Sequence, residues 1–126
     1  MLFFDTSAAI DWLRGEEKLK SEAAGGSVAI SVITVYELLW AAKRKSRHAQ
    51  DAVDAFIDNS TVLPVTQDIA RRSAYLKAEL LGAGKDKPMA DLIIAATAEK
   101  EGLKFLTSDK DFEDISRFAD IDLHLL

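Results

Sequence analysis

Four carboxylates sit where a folded chain could gather them around a cation: Asp5, Glu37, Asp91 and Asp109. Asp5 ends the apolar run Met1-Leu2-Phe3-Phe4, and Asp109 follows the run Lys104-Phe105-Leu106-Thr107-Ser108. Glu37 and Asp91 lie near the starts of two strongly apolar helical stretches. An acid at the end of a short apolar strand stands at the carboxyl edge of a sheet, where open α/β folds build their sites. Four acids converging there repel one another unless a divalent cation neutralises them, so the pattern predicts hard-metal chemistry.

Each acid also has a plainer explanation. Asp5 could cap the helix that follows it, but Thr6 or Ser7 would serve there and leave Asp5 free to face the crevice. Thr34-Val35-Tyr36-Glu37 reads as a capping box. Ile33, Trp40 and Ala41 share Glu37's helical face, however, and a glutamate among them needs a partner. Both readings of Glu37 stand on this evidence. Asp91 is the most informative of the four. It shares a face with Ile94, Ala95 and Ala98 in Pro88-Met89-Ala90-Asp91-Leu92-Ile93-Ile94-Ala95-Ala96-Thr97-Ala98, a helix apolar nearly all round. Proximity to the helix N-terminus stabilises a carboxylate by only ~0.3–1 kcal/mol, so a metal or a strong donor network is the simpler account. Ser108, Asp109 or Asp111 could each cap a short turn. Asp109 lies nearer the strand end and is assigned to the site, with Asp111 as a supporting acid.

The elements that must position these groups alternate. Strands are expected at about 1–5, 27–31, 61–65, 103–107 and 121–125. Helices are expected at about 7–14, 16–24, 33–45, 47–59, 67–82 and 88–101. This order predicts a three-layer α/β/α fold on a mostly parallel five-stranded sheet. Leu2-Phe3-Phe4 and Thr61-Val62-Leu63-Pro64-Val65 read as strands buried on both faces. Two helices separate the second strand from the third and two more separate the third from the fourth, so one of each pair must lie across the sheet or return beside it. Gly25-Gly26 and the segment from Gly82 to Pro88 mark breaks.

Composition narrows the chemistry. The 126 residues are 48% hydrophobic and 29% charged, which fits one globular domain over 1–126. No apolar run is long enough to span a membrane and no signal peptide is evident, so the expected location is cytoplasmic. Zero cysteines exclude thiolate metal sites, and His48 and His124, far apart in sequence, are the only imidazoles. Oxygen ligands favour Mg²⁺ or Mn²⁺. The net charge of −5 argues against a broad basic nucleic-acid surface, though bound cations would reverse the sign at an acidic site.

Other features carry less. Gly82-Ala83-Gly84-Lys85 is no phosphate loop, because it follows a helix and has Asp86 where Ser or Thr is required. Lys43-Arg44-Lys45-Ser46-Arg47-His48 reads first as a solvated helix end, with a role in guiding RNA as the sharper option. Tyr36, Trp40 and Tyr75 read as core or subunit interface. A response-regulator receiver would need an aspartate ending the third strand. None precedes Asp68 there.

Four segments together resemble the PIN domain: Asp5-Thr6-Ser7, Ile30 to Leu38, Asp91 to Ala98, and Leu106 to Phe112. The short VapC toxins of prokaryotic toxin–antitoxin pairs are the most similar members. The resemblance runs almost end to end and implies a Mg²⁺- or Mn²⁺-dependent endoribonuclease with Asp5, Glu37, Asp91 and Asp109 as its acidic quartet. Asp5 and Asp91 are then the leading metal ligands, Glu37 and Asp109 complete the site, and water attacks the phosphate in line. Thr6, Ser7 and Thr107 fit as hydrogen-bonding support for those acids, with Asp111 as a secondary acid beside them. The resemblance further implies a homodimer, an RNA substrate and a cognate antitoxin protein that blocks the site. The rival reading within the same fold is a catalytically inactive PIN-like binding module.

Overall fold

Phe3 and Phe4, adjacent in the sequence, point to opposite faces of the sheet, and both are fully buried. They sit on the central strand β1 (Leu2–Phe4) of a computed structural model that describes residues 1–126. The remaining strands are β2 (Val28–Ser31), β3 (Thr61–Leu63), β4 (Lys104–Thr107) and β5 (Asp122–Leu125). Their order is β3-β2-β1-β4-β5, and every neighbouring pair is parallel. The sheet is thus wholly rather than mostly parallel.

Alternation along three inner strands divides the core. Phe3, Ala29 and Phe105 face one layer, with Leu76, Leu80, Leu92, Ile94 and Phe112. Phe4, Ile30 and Leu106 face the other, with Ala8, Leu19, Leu38 and Phe56. Phe3 lies 5.4 Å from Phe105 within the sheet, and two further ring pairs bind the sheet to its helices: Phe105 lies 4.9 Å from Phe112, and Phe4 lies 6.4 Å from Phe56. Each fully buried phenylalanine contributes roughly 1.5–3 kcal/mol of transfer free energy.

The helices are α1 (Thr6–Leu13), α2 (Glu17–Glu22), α3 (Val32–Lys43), α4 (Arg47–Asp58), α5 (Gln67–Gly82), α6 (Met89–Glu101) and α7 (Asp111–Ile115). The paired helices pack on each other, α3 against α4 and α5 against α6. That answers how two helices fit into each crossover. Gly102 closes α6 in the left-handed conformation, φ 64°, which a glycine adopts without strain. No helix is long and apolar enough to cross a membrane.

One strand departs from expectation. The apolar run at 61–65 is an edge strand of three residues, with Thr61 and Val62 exposed and Leu63 half-buried. Pro64 ends it, because a residue without an N–H cannot continue a ladder. The chain grows outward from β1 through β2 to β3, then returns to β4 on β1's other side. This reversal opens a crevice at the carboxyl ends of β1 and β4.

Candidate metal centre

Asp5 leaves β1 at that crevice. Its backbone N–H donates to the Leu106 carbonyl at 3.3 Å, and its side chain is only 3% exposed. Contrary to expectation, Asp5 itself caps α1. Its Oδ1 accepts the Ala8 N–H at 2.9 Å, since the chain is extended at Asp5 and helical from Thr6. Capping does not remove Asp5 from the crevice, because one carboxylate has lone pairs for several partners. The Ser7 hydroxyl reaches Oδ1 at 2.8 Å and Oδ2 at 2.9 Å, and the Thr107 hydroxyl donates to Oδ2 at 2.8 Å. Burial outweighs these donors and lifts the Asp5 pKa above its ordinary value, with Asp109 adding repulsion.

Thr107 also positions Asp109. Its Oγ1 accepts the Asp109 N–H at 2.9 Å while donating to Asp5, so a single hydroxyl couples the ends of β1 and β4. Ser7 makes a second tie by accepting the Ser108 N–H at 3.0 Å. Asp109 in turn accepts the Asp111 N–H at 2.9 Å in a local turn just before α7, whose cap position is Lys110 and carries no side-chain cap.

Glu37 lies in the second turn of α3, and there is no capping box. Ser31, at the end of β2, caps that helix by accepting the Ile33 N–H at 3.0 Å. Thr34 is instead buried inside the helix and lies 3.0 Å from the Thr6 hydroxyl. Thr6 donates to Glu37 Oε1 at 2.6 Å, so Thr34 donates to Thr6 in a short relay. Thr6 therefore supports Glu37, whereas Ser7 and Thr107 support Asp5. Sequence reasoning gave Thr34 only a capping role. The signal that bears on it is an uncharged hydroxyl three residues before an acid on the same helix face.

Asp91 stands in the first turn of α6, half-buried. Its pKa is pushed up to about 6, first by burial and then by the charges of Asp109, Asp5, Glu37 and Asp111, with no donor among the causes to offset them. Asp91 thus feels the charges of the other three assigned acids. Carboxylate oxygens of Asp91, Asp109 and Asp111 lie within 4.8 Å of one another. Asp5 and Glu37 stand outside that group: Asp5 is tied to Asp109 through the Thr107 hydroxyl, and Glu37 acts on Asp91 through its charge.

The donor set fits a hard divalent cation. It consists of carboxylates alone, it is mutually repulsive, and one member lacks any donor that would stabilise its charge. Asp5 retains capacity to ligate, because the single Ser7 proton can satisfy only one of its oxygens at a time.

A cation from the protein borders the group. Lys87, 8% exposed, places Nζ 2.9 Å from Asp114 and 3.2 Å from Asp111. The Asp114 contact, with Asp111 behind it, holds the Lys87 pKa above its ordinary value. No motif singled out this lysine, since its partners come near only through tertiary packing. Elsewhere, Tyr36, Trp40 and Tyr75 are exposed at 68%, 55% and 68%, so they are surface rather than core residues. From the basic run, Arg44 covers the Trp40 ring at 4.8 Å.

Comparison with known proteins bears on the family and the fold. The PIN domain profile matches residues 2–118. Ribonuclease VapC5 of Mycobacterium tuberculosis is 32% identical over 123 residues, covering 94% of this chain and 90% of that protein. A VapC ribonuclease of Pyrococcus furiosus is 28% identical over 94 residues; the match takes in 74% of this chain and spans only 63% of the relative's length. Among solved structures, a toxin–antitoxin complex from Klebsiella pneumoniae contains a chain with a TM-score of 0.74 and 32% identity, covering 89% of this chain and 90% of that one. The five parallel strands and these matches lead to one assignment: the chain belongs to the PIN domain family, with VapC ribonucleases among its relatives.

Proposed function

We propose that the protein is an endoribonuclease toxin that hydrolyses RNA phosphodiester bonds with Mg²⁺ or Mn²⁺ held by its acids. The observation that carries this is the meeting of Asp91, Asp109 and Asp111 oxygens within 4.8 Å beside the buried Asp5. Asp5 and Asp91 are the leading ligands. Asp109, fixed through Thr107, completes the set, and Glu37, held by Thr6, orients water. A divalent cation supplies Lewis acidity at the scissile phosphate and makes a water more acidic. The protein holds its charges in place beforehand, so little reorganisation accompanies the reaction.

The relatives extend the reading. Because the Klebsiella pneumoniae neighbour is a toxin–antitoxin complex, a cognate antitoxin is the expected partner here. Exposed Tyr36 and Trp40 on α3 and Tyr75 on α5 support a homodimer contact, since aromatic residues are enriched at such interfaces.

Purified protein, freed of any bound antitoxin, is expected to cleave structured RNAs from a broad panel with Mn²⁺ and to lose that activity with EDTA. Asp91→Asn is expected to reduce cleavage below detection while its circular dichroism matches wild type. Wild-type protein that leaves the panel uncut would favour the inactive binding module instead.

A further inference from the structure

Lys87 lies where a second-rank acid and a candidate metal group meet. Its ammonium contacts Asp111, whose oxygen is one of the three within 4.8 Å, and Asp114, which is outside that group. The segment carrying it is pinned from α5. Lys77 donates to the Lys87 carbonyl at 3.1 Å and pairs with Asp86, and Pro88 fixes the next backbone angle. The lysine is 8% exposed, whereas the Asp111 side chain is 57% exposed.

An exposed aspartate this close to Asp91 and Asp109 would itself be drawn onto a divalent cation, because affinity for hard cations rises with the number of charged ligands. A lysine ammonium has three donors and no acceptor, so it can hold two carboxylates together but cannot ligate a metal. Resting on the proposed metal-dependent nuclease, we infer that Lys87 is a positioning residue that withholds Asp111 from the metal. The acids left to bind are then Asp5, Asp91 and Asp109. Fewer protein ligands leave coordination positions for phosphate and water, which a catalytic site requires and a closed one denies.

Calorimetric titration of Mn²⁺ into the full-length chain, with electron paramagnetic resonance to count bound ions, tests this without reference to activity. Wild-type protein is expected to bind Mn²⁺ and Asp91→Asn to bind it far more weakly. A wild type that binds none overturns the metal reading, and the role of Lys87 falls with it. Where wild type binds, Lys87→Gln is expected to bind Mn²⁺ roughly tenfold more tightly or to take up a second ion. Adding Asp111→Asn to Lys87→Gln is expected to remove that gain, because only a freed Asp111 produces it. Asp111→Asn alone keeps the Lys87–Asp114 pair and is expected to stay within about threefold of wild type. Lys87→Gln that binds like wild type or more weakly, whatever its thermal stability, assigns the lysine a structural role only and overturns the inference. So does a gain that survives in the double variant, or an Asp111→Asn loss beyond about tenfold.

Discussion

Asp5 and Asp91 carry the same side chain to one site, and the fold supports them differently. Asp5 is almost fully enclosed, receiving the Ala8 amide and the hydroxyls of Ser7 and Thr107 while it starts α1. Asp91 has burial and four neighbouring acids raising its pKa, with no donor to compensate. The first is therefore a joint of the scaffold as well as a site residue. The second carries a charge that the protein alone leaves unsupported. On the proposed reading, a bound divalent cation would offset that charge.

The contrast can be broken most severely at the shared hydroxyl. Thr107→Val deletes the donor to Asp5 and the acceptor for the Asp109 amide together, and is expected to lower RNA cleavage roughly 10–100-fold. Single-turnover cleavage with saturating Mn²⁺ measures it; a variant as active as wild type would mean that the relay does not position the acids.

A smaller effect divides the two aspartates by sign. In metal-free protein near neutral pH, Asp5→Ala is expected to lose about 0.5–2 kcal/mol for the helix cap. Asp91→Asn is expected to raise the melting temperature, because it removes a repelled charge. Thermal unfolding in EDTA reads both. If the two substitutions shift stability in the same direction, the two acids are not supported differently.

The smallest effect is a slope with pH. The folded-state Asp91 pKa of about 6 lies above its ordinary 3.8, so between those values the native chain keeps a proton that the unfolded chain has released. Its stabilising share is full below pH 3.8 and is lost as pH rises to about 6. The stability of metal-free wild type minus that of Asp91→Asn should therefore fall across this window, measured by urea unfolding at each pH. A flat difference would remove the repulsion from the account.

Much of this was legible before any coordinates. Apolar runs punctuated by glycine and proline marked strands and helices to within a few residues, because backbone periodicity is a local property. Asp91 stood out because its neighbours along one helix are in the same sequence window. The misreadings share a cause. The run at 61–65 has the composition of an interior strand, yet lies at the edge because strand order is settled by crossovers rather than by hydrophobicity. The capping choices at Asp5 and Thr34 turned on where the chain bends into a helix, a matter of one or two residues that several side chains could satisfy.

By itself the sequence determined the inventory: an all-oxygen donor set, no thiolate, parallel α/β patterning and four acids near element ends. Only the tertiary structure decided how those acids relate. It made Thr107 a bridge between strand ends, set Thr6 and Thr34 behind Glu37, and brought Lys87 against Asp111 and Asp114. The physical reason is range. Periodicity, caps and burial tendencies act over a few residues, whereas a field between carboxylates or a shared hydroxyl joins atoms that meet only after β1 and β4 pair and α3, α6 and α7 pack around them.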